Sequence, residues 1–294
     1  MNLQNLLDKA IKTDELSLAT DVTGFDTGTK CYDTYMSNSE WEKFLSDMSH
    51  KHRADYDNGS GGELEVRKTG KNIFPPKMAS YGSSSRMIYN LAKDIDNFNF
   101  EEKLPTTVGG IANLDGFFEN DNMYIFIEAK CREPYGAKVS SVEIKYKDLY
   151  RFISYSTETL LRCNNKGEEN SKMKIEFSYN GTVISHFDIK QMICHLLGVA
   201  TGFLNGKYTD KDIKFLYLLY NPTLISPPNE PEWEDLIDIY NQTCNECSMI
   251  DFSRLYSVIF EYLKIKLNKP DFKNKSRFTF RLCDRNNFKG EVLC

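Results

Sequence analysis

The sequence holds no apolar run long enough to cross a bilayer, no excess of positive charge, and no set of cysteines and histidines at metal-binding spacing. Its most apolar stretches, residues 215–220 and 196–204, fall well short of the roughly 20 residues a membrane helix needs, so no membrane partner is expected. Residues 1–12 alternate Leu with Asn, Gln, Asp and Lys and lack the apolar core and cleavage site of a secretory signal, which points to a cytoplasmic protein. A formal net charge of −5 argues against a protein that coats nucleic acid by bulk electrostatics, although a local basic groove can still engage it. The eight Cys are scattered at 31, 131, 163, 194, 244, 247, 283 and 294, as suits reduced thiols rather than a disulfide framework. Cys244 and Cys247 form a C-x-x-C with no second pair, so zinc is not expected. A G-x-x-x-x-G-K-[ST] run is missing too, so any ATP-driven role would fall to a partner.

What is present suffices for one core with insertions, since 40% of the residues are hydrophobic. Residues 1–80 read as a polar N-terminal extension with one helix near 39–52 and a loop rich in Gly, Asn and Asp at 55–62, ended by Pro75-Pro76. From Ser83 to Asp96 the positions Met87, Ile88, Leu91, Ala92 and Ile95 follow the helical repeat behind a Ser83-Ser84-Ser85 cap. Phe98, Phe100 and Leu104 then alternate as in a half-buried strand, and two more strands are expected over 112–118 and 123–131. Residues 137–186 read as an insertion. It should hold a helix with Val142, Tyr146, Leu149 and Ile153 on one face, opened by Ser140 and Glu143, a mobile Lys- and Asn-rich loop at 164–174, and a hairpin at Tyr179-Asn180-Gly181-Thr182. A helix over 188–204, a buried strand over 213–220, a Pro-rich connector, two helices and a last strand near 277–282 complete the chain. The order helix, strand, strand, strand, helix, strand makes an α/β (α+β) fold, a mixed sheet with helices on its faces, with the core over 81–221 and a helical extension over 222–294.

The chemistry gathers on the middle strands. Leu114-Asp115-Gly116-Phe117-Phe118 and Met123-Tyr124-Ile125-Phe126-Ile127-Glu128-Ala129-Lys130 flank the polar quartet Glu119-Asn120-Asp121-Asn122, which reads as a turn. An even-membered turn centred between Asn120 and Asp121 puts Asp115 opposite Phe126 and on one face with Glu128 and Lys130; an odd one would separate the acids. Charges within an apolar strand are costly unless they are paired or hold a cation. Asp115, Glu128 and the backbone carbonyl of Ala129 form a hard-oxygen set suited to Mg²⁺ or Mn²⁺, whose remaining positions go to water and phosphate. Lys130 would orient or deprotonate the attacking water and stabilise charge growing on the phosphate.

Asp115 followed by Glu128-Ala129-Lys130 resembles the PD-(D/E)xK signature of restriction-endonuclease-like nucleases, and the element order over about residues 83–221 is similar to theirs. The segment from Gly109 to Phe117 joined to Ile127-Glu128-Ala129-Lys130 looks like bacterial members of uncharacterised type. Leu114 stands where Pro precedes the acid in that signature, a position that is not a ligand. The resemblance implies a restriction-endonuclease-like core with N-terminal, internal and C-terminal additions, and a Mg²⁺-dependent nuclease acting on phosphodiester bonds, with DNA as its partner. Many relatives carry a further acid on the first helix or strand. Residues 85–96 hold no Glu, so the choice lies among Glu101, Glu102 and Glu63, with Glu101 favoured. Gln191 and His195 resemble the QxxxY pair of lambda-type exonucleases, with His in place of Tyr. They belong to a stripe, Lys190, Gln191, Cys194, His195 and Gly198, on the side of the 188–204 helix away from its core face.

The expected catalytic set is therefore Asp115, Glu128, Lys130, Gln191 and Glu101, with Lys190, Arg132 and His195 at the nucleic-acid backbone. Basic residues from Lys264 to Arg285, with Phe272, Phe278 and Phe280 among them, form the most positive part of the chain and offer a second grip on nucleic acid or a solvated surface. Two other readings compete. One is a catalytically inactive nuclease-fold protein that binds nucleic acid or a protein partner, a second copy of itself included. The other, a two-carboxylate glycosidase, leaves Lys130 without a role and sets the acids too close for an inverting site.

Overall fold

The structure, a computed structural model, describes residues 2–16, 23–59, 62–136, 141–273 and 275–293. Five strands form its central sheet: β1 (Asn99–Pro105), β2 (Ile111–Glu119), β3 (Met123–Lys130), β4 (Asp212–Leu219) and β5 (Phe278–Cys283), in the spatial order β5-β4-β3-β2-β1. β1, β2 and β3 make an antiparallel meander, whereas β3, β4 and β5 run parallel. Parallel neighbours need crossovers, and these supply the helices Ile189–Leu204, Trp233–Met249 and Phe252–Lys266 that help cover the sheet. Both faces are therefore buried. Phe126, Phe215, Leu196 and Leu255 fill one core, and Ile125, Ile127, Leu216 and Ile88 fill the other. Burial on both sides is why β3 and β4 read as nearly continuous apolar runs. The result is a mixed α/β fold, sheets of mixed orientation flanked by helices. Among the described residues no helix is long and apolar enough to cross a membrane.

The β2–β3 hairpin keeps the expected parity but not the expected register. Phe117 faces Phe126 and Gly116 faces Ile127, a register that, carried one position on, sets Asp115 toward Glu128 instead of Phe126. Asn120 is the cause: its Oδ1 accepts the N–H groups of Asn122 and Met123 at 3.0 and 2.9 Å, which tightens the turn onto Asp121 and Asn122.

Other elements differ from their sequence expectations. The stretch 164–174 is no loop. It belongs to a hairpin, Leu161–Glu169 against Lys172–Tyr179, that turns at Asn170 and Ser171 with φ of 50° and 61°. Both central residues adopt the left-handed conformation that such two-residue turns require. The insertion helix starts at Lys147, not near 140, because Ser141–Glu143 is drawn into a strand beside Lys172–Tyr179; Ser140 lies outside the described residues. The expected helix at 39–52 is two helices, Asn38–Asp47 and His50–Asp57, since the Ser49 hydroxyl turns back to cap the His52 N–H. Residues 3–16, read as polar, form a helix that buries Leu6, Leu7, Ala10 and Ile11.

Candidate active site

The hydrogen-bonded ladder between β2 and β3 ends at Gly116 and Ile127, although β2 reaches back to Ile111 and β3 runs on to Lys130. A cavity of about 340 Å³ lies where the strands part. Asp115 is the first residue past the split, and its Oδ2 accepts the Ala129 N–H at 2.7 Å, in place of a strand carbonyl. Within a strand the N–H and C=O of one residue point the same way, so the Ala129 carbonyl faces the gap as well.

Glu101 marks a matching break on β1. Its φ is +57°, between the paired positions Phe100–Gly116 and Glu102–Leu114. That conformation costs a residue other than glycine about 1–2 kcal/mol. It also ends the simple alternation expected from Phe98 to Leu104: Phe98 and Phe100 enter one core and Leu104 the other. Glu101, buried, thereby joins Asp115 on the cavity wall. Gly59 makes room for it, since a Cβ there would lie 2.7 Å from Glu101 Cγ.

Glu128 is held from three sides. Its Oε1 accepts Gln191 Nε2 at 2.7 Å and lies 2.6 Å from Lys130 Nζ, while Oε2 stands 3.0 Å from His195 Nε2. Burial alone would raise the carboxyl's pKa, but Lys130 and then His195 outweigh it and hold Glu128 at about 2. Burial likewise works against the Lys130 ammonium, and Glu128 more than restores it, so its pKa lies well above the usual lysine range. A lysine so held keeps its proton. Asp115 moves the opposite way. Burial, then repulsion by Glu128, push its carboxyl well above the ordinary range.

The remaining candidates divide. Gln191 and Arg132 line the cavity with Asp115, Glu128 and Lys130. Glu63 also lines it, 2.7 Å from Lys77 Nζ, whereas Glu102 pairs with Lys207 at 2.6 Å and does not line it. Lys190 reaches the Ser141 carbonyl at 3.4 Å and is not on the cavity wall. His195 is 2% exposed, does not line the cavity, and stands 3.0 Å from Glu128 Oε2. The basic C-terminal residues Lys264, Lys273, Lys275 and Arg277 line a separate groove. Sequence reasoning did not place Glu133, Asn113 or the Ser83–Ser85 turn in the cavity, where all of them are found. Only the turn had left a signal, as a helix cap.

No family model, curated protein or solved structure matches the chain.

Glu63, Glu101, Asp115, Glu128 and Glu133 face Lys77, Lys130 and Arg132, so the fully ionised cavity has an excess of two negative charges, the amount one divalent ion balances. Three buried oxygens, Glu63 Oε2, Asn113 Oδ1 and Glu128 Oε2, lack a hydrogen-bond partner among the described residues. Among the same residues no group of three or more His, Cys, Asp or Glu side chains is placed to hold a metal ion. A cation here would therefore rest on two carboxylates and the Ala129 carbonyl, a set that suits Mg²⁺ with most of its shell left to water and phosphate.

Proposed function

We propose that the protein is a metal-dependent nuclease of the restriction-endonuclease-like type, hydrolysing phosphodiester bonds of DNA. The observation that carries this reading is the parted hairpin, which sets Asp115, the Ala129 backbone and the Glu128–Lys130 pair on one cavity wall. Asp115 and Glu128 would hold Mg²⁺ or Mn²⁺ with the Ala129 carbonyl, and the ion would supply Lewis-acid polarisation of the phosphate. Lys130, kept protonated by Glu128, would hold the attacking water and donate to the phosphate oxygen that gains charge. Gln191 and His195 would keep Glu128 from swinging away. Glu101, brought beside Asp115 at the expense of backbone strain, would add negative charge on the cation's side of the cavity.

Plasmid and single-stranded DNA, incubated with Mg²⁺ or Mn²⁺, test this. Cleavage that Asp115→Asn and Lys130→Ala each abolish is the expected result. Cleavage that survives both substitutions, or none of any DNA or RNA, defeats the reading. One observation favours a binding protein without catalysis: Lys130, Gln191 and His195 already occupy Glu128. Calorimetry separates the two, because only the nuclease requires a divalent-ion affinity that Glu128→Gln removes.

A further inference from the structure

Arg132 stands on the cavity wall just past the end of β3, and the N-terminal helix Leu3–Leu16 holds it there. Gln4 Nε2 donates to its carbonyl at 3.1 Å, and Arg132 Nη1 donates to Asp8 Oδ2 at 3.1 Å and to Ser80 Oγ at 3.4 Å. Asp8 is 1% exposed, and its Oδ1 fills the space a side chain on Gly82 would need, 1.8 Å from where a Cβ would stand. These contacts use one nitrogen of the guanidinium. Its Nε and Nη2 have no acceptor among the described residues, and the side chain is 35% exposed.

The helix Ser84–Ala92 begins on the same cavity, beside Arg132: its Ser84 Oγ accepts the Cys131 N–H at 3.1 Å. Ser83 Oγ caps the Arg86 N–H, while the N–H groups of Ser84 and Ser85 have no acceptor within the helix and add the positive end of its dipole. Ser85 is more than nine-tenths buried and lines the cavity, yet its hydroxyl has no partner among the described residues. Glu133, the carboxylate nearest this turn, is already engaged by Ser84 Oγ at 2.7 Å and the Cys131 N–H at 2.9 Å. The arrangement thus presents a planar two-nitrogen edge, a free hydroxyl and free backbone N–H groups, all donors, beside an acid-rich metal candidate. Donors of that geometry suit the oxygens of a phosphate group.

We infer that Arg132, Ser85 and the opening N–H groups of the Ser84–Ala92 helix form a phosphate-binding subsite next to the cleavage centre, and that Asp8 keeps Arg132 in place for it. The inference deepens the nuclease reading by assigning the phosphate that neighbours the scissile one. It makes the N-terminal helix part of substrate recognition, with Asp8 as a positioning residue.

Inorganic phosphate, titrated calorimetrically into the full chain in a chloride buffer free of divalent ions, tests the subsite apart from catalysis. The wild-type chain should bind it, Arg132→Gln should bind at least tenfold more weakly, and Ser85→Ala severalfold more weakly. Asp115→Asn should retain or improve the affinity, because it removes a repelling carboxylate from the same cavity. Should Arg132→Gln unfold with Asp8 left unpaired, the double variant Asp8→Asn with Arg132→Gln keeps the pair neutral, and Ser85→Ala stands as an independent probe. Wild-type phosphate affinity in these variants, or no phosphate binding by the wild type, overturns the subsite. Arg132-dependent phosphate binding without any nucleic-acid cleavage would instead sink the nuclease reading and leave the subsite standing.

Discussion

Asp8→Asn should stabilise the protein at neutral pH, although it removes a charge from an ion pair. Asp8 is almost fully buried, and the single contact to Arg132 does not offset the loss of water: burial lifts its pKa from 3.8 to about 6. The folded chain therefore holds a proton that the unfolded chain releases between those two values, and ionisation opposes folding as pH rises through that window. At about 1.4 kcal/mol per pKa unit, the stability lost above pH 6 is about 3 kcal/mol. Asn keeps the shape and the acceptor for Arg132 without the buried charge, so the variant should match the wild type below about pH 4 and gain steadily to about pH 6. Above that the advantage should stay level. Urea unfolding at several pH values measures it, since groups common to both proteins cancel in the difference; a gain of about 3 kcal/mol corresponds to a midpoint shift of about 1 M or more. Parallel stability curves for the two proteins across pH 4 to 8 would refute the argument, and a less stable variant at pH 8 would show that Arg132 contributes more than burial costs.

Three further outcomes follow from the site and the sheet. Divalent-ion affinity should weaken as pH falls, because Asp115, raised by burial and by Glu128, must release its proton to bind a cation; calorimetry in buffers of different ionisation enthalpy should detect the proton, and Asp115→Asn should abolish both signals. Gln191→Ala removes one of the donors that hold Glu128 Oε1, a charge-assisted bond worth about 1.5–3 kcal/mol, and should lower cleavage at least tenfold while circular dichroism stays native. Gly116→Ala would place a Cβ 2.6 Å from Phe98 Cζ and 2.9 Å from Ile88 Cδ1, so thermal unfolding should show a loss of about 1–3 kcal/mol.

The parts of the site that were legible in the sequence are those whose geometry is local. Asp115 and Glu128-Ala129-Lys130 lie on adjacent strands of one short hairpin, so strand periodicity and turn parity suffice to place them on a common face. The exact pairing was not readable by the same means, because it depends on the Asn120 side chain taking two backbone N–H groups. Glu101 could be placed on its strand, but its left-handed backbone depends on Gly59 giving way from a distant segment. The Leu3–Leu16 helix had left a trace, since Leu3, Leu6, Leu7, Ala10 and Ile11 recur at helical spacing beneath a polar composition. Its contact with Arg132 spans 124 positions of sequence, and no local pattern encodes a pairing at that range. Lys190 illustrates the converse limit: helical spacing set it beside Gln191, and the insertion strand Ser141–Glu143 then took it away.

The parted ladder has a consequence for observation. Inside a sheet an amide proton is normally guarded by a neighbouring strand, and its exchange with solvent reports only that strand's opening. The Ala129 amide is guarded by the Asp115 carboxylate, the group that a proton or a cation would claim. Its chemical shift and exchange rate therefore report from within the backbone whether that carboxylate is protonated or taken up by a cation, with no label, substrate or turnover.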